Sequence, residues 1–102
     1  MNLYTNEMPT READAQTILE QIGRGALWAV GAKNVVDLGD GVHFNISPSR
    51  KIVVKLHVRD TYVVETVKIN RRDFTFSSEF LAEDVYADQL QDVVLKAAGV
   101  DL

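Results

Sequence analysis

The chain has 102 residues and a net charge of −4, with 46% hydrophobic and 25% charged residues and no cysteine. That length holds one core, and the composition is that of a soluble folded domain rather than a disordered or fibrous chain. Without cysteine there is neither a disulfide framework nor a thiolate metal site, and no apolar run reaches the roughly 18 residues that span a bilayer.

Residues 1–9 show no periodicity and read as an N-terminal tail, without the basic and apolar regions of a secretory leader. A single domain is expected over 10–102. Thr10 is placed as an N-cap, with Glu12 and Asp14 in the first helical turn, where carboxylates suit the dipole. Ala15, Ile18, Leu19 and Ile22 then form one apolar stripe of an amphipathic helix. Gly23 or Gly25 ends it.

From Ala26 to Ser78 the period becomes two. "GAKN" (31–34) carries a glycine and a lysine, as phosphate-binding loops do. Such a loop needs further glycines, a hydroxyl residue after the lysine and a helix start, so that backbone amides meet the anion. Here Asn34 follows Lys33 and Val35-Val36 continues as strand, so the run reads as a turn or bulge in the first hairpin. Asp40-Gly41 marks a hairpin turn. Val42, Phe44 and Ile46 share one strand face, with His43 and Asn45 on the other. Ser47-Pro48-Ser49-Arg50 turns the chain. In the next strand Ile52, Val54, Leu56 and Val58 point inward, and Val53, Lys55 and His57 outward.

A short loop at Asp60-Thr61 would set Val58 opposite Val63, Val54 opposite Val67 and Ile52 opposite Ile69. Ile69 would then face Phe74, and Val67 would face Phe76. A one-residue slip would instead bring Tyr62, Val64, Thr66 and Lys68 to the core face, and the first register is preferred for that reason. It leaves Glu65 on the apolar row opposite Leu56, where a position at the sheet end near Ser78 would let it reach water. A second helix is expected from Glu83 to Ala98, with Tyr86, Leu90, Val93, Val94 and Ala97 inward. Glu83, Asp84 and Asp88 stand near its start, Lys96 near its end, and Gly99 stops it. The expected fold is α+β and two-layered: helix, an antiparallel sheet of four or five strands, helix, with both helices on one face.

Charge is distributed unevenly. Residues 41–72 hold Arg50, Lys51, Lys55, Arg59, Lys68, Arg71 and Arg72 against only Asp60 and Glu65, whereas the segments on either side are acidic. Lys51, Lys55, Arg59, Lys68, Arg71 and Arg72 with Tyr62 form a candidate basic face, able to hold single-stranded nucleic acid through phosphate contacts and stacking. Only one aromatic accompanies it, whereas sheet readers offer roughly two or three stacking rings. Asp84, Asp88 and Asp92 form a candidate acidic docking face for a protein. Self-association, basic face on acidic helix, is a further reading. His43 and His57 lack the extra ligands of a zinc site, and no titratable pair stands out for acid–base work. The expectation is therefore no cofactor, no metal and no enzymatic activity.

The runs "ILEQIG" (18–23), "GAKN" (31–34), "GVHF" (41–44), "DTYVVETVK" (60–68) and "VYADQLQDV" (85–93), with a Gly-Val-Asp-Leu ending, carry a resemblance. Together they resemble a family of small proteins of bacteriophages, prophages and related mobile elements. These runs supply no site residues. The resemblance implies an accessory phage or mobile-element protein made in the bacterial host cytoplasm. The first expectation for its function is that it binds a host or phage protein, with interference with a host process as one consequence. A nucleic-acid-associated protein and a minor structural or assembly component of the particle are the other readings. No membrane partner is expected.

Overall fold

The computed structural model describes residues 3–100; the first two positions and the last two, which close the Gly-Val-Asp-Leu run, lie outside the described residues. The elements are α1 (Tyr4–Glu7), α2 (Ala15–Ile22), α3 (Arg24–Ala29), β1 (Lys33–Asp37), β2 (Gly41–Ser47), β3 (Arg50–Leu56), β4 (Tyr62–Asn70), β5 (Thr75–Val85) and α4 (Leu90–Ala97), with a 3-10 turn at Ala87–Gln89. The strands form one antiparallel meander in the order β1-β2-β3-β4-β5. This is the α+β, helix-on-sheet arrangement that the alternation predicts.

The cap of α2 is Asp14, whose carboxylate accepts from the Gln16 amide and the Thr17 hydroxyl. Thr10 stands earlier, in a bridge to His57, and its hydroxyl donates to Asp40 at 2.7 Å. The helix therefore starts later than the Thr10 cap implies, because residues 10–13 are tied to the sheet through Arg11 N–H to Leu56 O and Ala13 N–H to Gly39 O. Gly23 ends α2 at φ 88°, and α3 follows at once where strand was expected to begin. Ala26 and Val30 give α3 its buried side, while Trp28 is exposed.

The "GAKN" run is a turn and bulge: the β1–β2 register shifts between Lys33 and Val36, and Asn34 has φ 55°. Gly41 has a different task. A Cβ there would lie 2.0 Å from the Val54 carbonyl oxygen, so only glycine lets β2 lie against β3. Between the layers, Val42, Phe44, Ile52, Val54 and Val64 are fully buried against Ile18, Ile22, Leu90 and Val94.

β4 is displaced by three residues from the expected register, which gives it the parity of the one-residue slip. Leu56 pairs with Tyr62, Val54 with Val64, Ile52 with Thr66 and Arg50 with Lys68. The cause is the β3–β4 connection. It runs from His57 to Thr61, held by His57 N–H to Thr61 O at 2.7 Å and Asp60 N–H to His57 O at 2.9 Å, with Asp60 at φ 68°. Val58 leaves the sheet and is exposed. Thr66 can sit among apolar neighbours because its hydroxyl donates to the Ala97 carbonyl at 2.8 Å, satisfying an end of α4.

On the other side, Ile69 pairs with Phe76 and Val67 with Ser78, so Phe74 falls in the turn instead of opposite Ile69. β5 also runs on to Val85, taking Glu83 and Asp84 out of the expected helix. The helical segment begins only after Tyr86, whose amide donates to the Gln89 side chain at 3.1 Å. Tyr86 is exposed rather than in the core.

Candidate docking surface

The slip moves Val63, Glu65 and Val67 to the sheet face opposite α2, α3 and α4. Residues 3–8 cross part of that face. Leu3 packs on Val53 and Val67, and Thr5 is buried. Glu65, between Val53 and Leu81 in register, is fully buried and does not reach water. Its carboxylate accepts from the Thr5 hydroxyl at 2.8 Å and from the Thr5 and Tyr4 amides, both at 3.3 Å. Those amides open α1 and have no helical partner, so the carboxylate satisfies them and sits at the positive end of the turn. Lys55 Nζ donates to the Thr5 carbonyl at 3.1 Å and lies 3.7 Å from the Asp40 carboxylate. The N-terminal segment is thus a strap clipped to β3 and β4.

Beside the strap the face stays open as a groove of about 240 Å³ that crosses the sheet. Val53 and Val67 form its floor, Leu38 and Phe76 stand at its two sides, and Leu3 and Asn6 of the strap close one border. Its ionisable lining is His43, Lys51 and Lys55, with no carboxylate. His43 has its pKa pushed down, first by burial and then by the nearby Lys51 charge, so the imidazole is neutral at physiological pH. Its Nδ1 is buried without a protein partner among the described residues. A larger cavity of about 440 Å³ lies beyond the end of α4, near Thr66, Phe80 and Lys96. There Arg50 is already engaged, with Nε 2.6 Å from Glu79 Oε1.

The candidate basic face does not assemble. Lys51 and Lys55 lie on the strapped face, while Lys68 follows the opposite parity of β4 and is exposed beside Arg50 and Ser77. Tyr62 is buried under the helices, and its phenol pKa is raised by that burial, so it offers no stacking ring. Arg59 is in the β3–β4 loop. Arg71 and Arg72 are in the β4–β5 turn, with Arg71 donating to the Pro48 carbonyl at 2.6 Å. The register is the reason: β4 side chains expected outward point inward. The acidic set is dispersed as well. Asp84 belongs to β5, Asp88 to the 3-10 turn and Asp92 to the first turn of α4, each exposed but not on one helix face.

The residues that sequence reasoning missed are Leu38, Val67 and Phe76 in the groove, and the exposed apolar side chains along β5. Phe76 and Leu81 are 41% and 43% exposed, and Phe74 is 77% exposed with φ 56°. A bulky residue in the left-handed region is an outlier, and such strain gathers at functional positions. The signal for Phe74 was its place directly after the polar run Asn70-Arg71-Arg72-Asp73, long enough to draw it into the turn.

Among the described residues no helix is long and apolar enough to cross a membrane, and no group of His, Asp and Glu has the arrangement of a metal site. The fold and its second face define a small two-layer α+β domain, strapped on one half of the outer sheet surface and open on the other. Comparison with family models, curated proteins and solved structures returns no match.

Proposed function

We propose that this chain is a non-enzymatic binding module that docks a segment of another protein in the open groove beside the strap. The observation that carries the reading is the composition of that groove: an apolar floor and sides, two lysines at its border and no carboxylate. A complementary segment places an apolar side chain between the exposed Leu38 and Phe76 and a carboxylate near Lys51. Burial of the apolar group supplies the affinity, and the charge pair sets the register. The phage or mobile-element resemblance gives the setting, an accessory protein in a bacterial cytoplasm acting on a host or phage protein.

The nucleic-acid reading has less support. Its cations are spread over two sheet faces and two connections, and Tyr62 is buried. Affinity capture from bacterial extract with wild-type protein, Lys51→Glu and Phe76→Glu tests the docking reading. A partner retained by the wild type should be lost from both variants while circular dichroism stays unchanged. Equal capture by all three sinks the reading. In parallel, binding of short single strands that collapses between roughly 50 and 200 mM salt would favour the nucleic-acid alternative.

A further inference from the structure

The two edges of the sheet are built differently. β1 is short, exposed along its length and carries Lys33, features that discourage pairing with another chain, and like β5 it is interrupted by a bulge. β5 is the longest strand, with 11 residues, and no described strand lies beyond it. It contains neither lysine nor proline. Register shifts interrupt its pairing with β4 near Glu79 and Glu83-Asp84, leaving regular stretches at Thr75–Ser78 and Phe80–Ala82. Exposed Phe76 and Leu81 lie on the strapped face of the sheet.

Charge along this edge is polarised. Arg71 and Arg72 stand exposed just before β5 and Glu83 and Asp84 at its far end; between them Asp73 accepts from the Thr75 amide and hydroxyl, and Glu79 is paired with Arg50. The ends are about eleven residues apart, which at roughly 3.3 Å per residue far exceeds the Debye length, so they do not neutralise one another within one copy. An antiparallel two-fold pairing of β5 with β5 sets each basic end beside the acidic end of the other copy. The midpoint of Arg72 and Glu83 and the midpoint of Phe76 and Leu81 both fall next to Ser78 in sequence. The two midpoints differ by one residue, so an axis set by Phe76 and Leu81 leaves Arg72 two positions from Glu83 of the other copy, a diagonal neighbour within reach of a long side chain, in an isologous interface.

We infer that two copies of this chain associate antiparallel along β5, joining their sheets into one. The occupant of this edge is a second copy because the edge complements itself. The inference shares Phe76 with the groove reading but rests on residues the groove lacks, Arg71, Arg72, Leu81, Glu83 and Asp84, so the variants below test it separately.

Sedimentation analysis from micromolar to about 1 mM protein is the test. Wild type should show a reversible monomer–dimer equilibrium that weakens with salt. Arg71→Glu with Arg72→Glu in one variant, and Glu83→Lys with Asp84→Asn in another, should each weaken the dimer about tenfold, since the axis counts every altered contact twice. Asparagine is chosen at position 84 because it tolerates the left-handed backbone there, φ 53°. An equimolar mixture of the two variants should restore the dimer, because one copy is then acidic at both ends and the other is not. Leu81→Lys, at an exposed position, should weaken it without unfolding the chain. A strict monomer throughout, a dimer indifferent to these changes, or a mixture that fails to restore association would each overturn the inference.

Discussion

Glu65 shows how one side chain can decide a face. A lone buried carboxylate is costly, yet here three donors from the strap surround it, which turns the cost into a fastening. Replacing it with alanine strands the Thr5 hydroxyl and the two amides over an apolar floor. Glu65→Ala should therefore lose about 2–3 kcal/mol of stability, the worth of buried hydrogen bonds to a charged group, and Glu65→Gln should recover part of the loss. Urea denaturation of the three proteins reads this directly. Hydrogen exchange at Tyr4 and Thr5 should quicken most in the alanine variant, and unchanged exchange there would mean the carboxylate is not the clip.

At the scale of elements, legibility in the sequence followed how many faces each element buries. The α2 stripe and the inward row of β2 were readable because each has one apolar side and one polar side, so burial follows period. β4 defeated the same logic. Its first six residues, Tyr62 to Val67, are all buried, so alternation offers no preferred parity and the loop length decides the register. The cover on its second face is the strap, a segment without periodicity, and nothing in its pattern announces where it docks. Hence the groove was hidden although each of its residues was in view. Phe74 was misplaced because the turn spans residues 71–74, one residue later than expected, and its backbone makes a prediction. Glycine there removes a left-handed cost of about 1–2 kcal/mol while adding about 0.5–1 kcal/mol of chain entropy to the unfolded state. Phe74→Gly should thus unfold at an equal or slightly higher denaturant midpoint than wild type, an uncommon outcome for removing an aromatic side chain. A clear drop would show that Phe74 is held by packing within the chain.

For the molecule as a whole, acidity acts on the layer outside the sheet before it reaches the core. The folded state depresses the pKa of His43 through burial and the Lys51 charge. Below the ordinary histidine value of about 6.5, the unfolded chain therefore binds a proton that the folded chain resists. Stability is full above that value and falls as pH drops through it, since the unfolded state then holds more protons than the native one. Glu79 has the same sign in a lower window: Arg50 hydrogen-bonds its carboxylate and lowers its pKa. Its contribution is present above the ordinary carboxylate range and is lost as pH falls through the folded value. That pair is about half exposed, so solvent screening keeps its share small. Melting temperature measured between about pH 8 and pH 5 should decline on the acid side in wild type, with the first loss set by histidine. His43→Gln removes the titrating group while keeping a polar side chain against the groove, and should flatten the curve across that interval. The Arg50→Gln variant should leave the interval unchanged and alter only the behaviour below it, which separates the strapped face from the far cavity as the source of acid sensitivity.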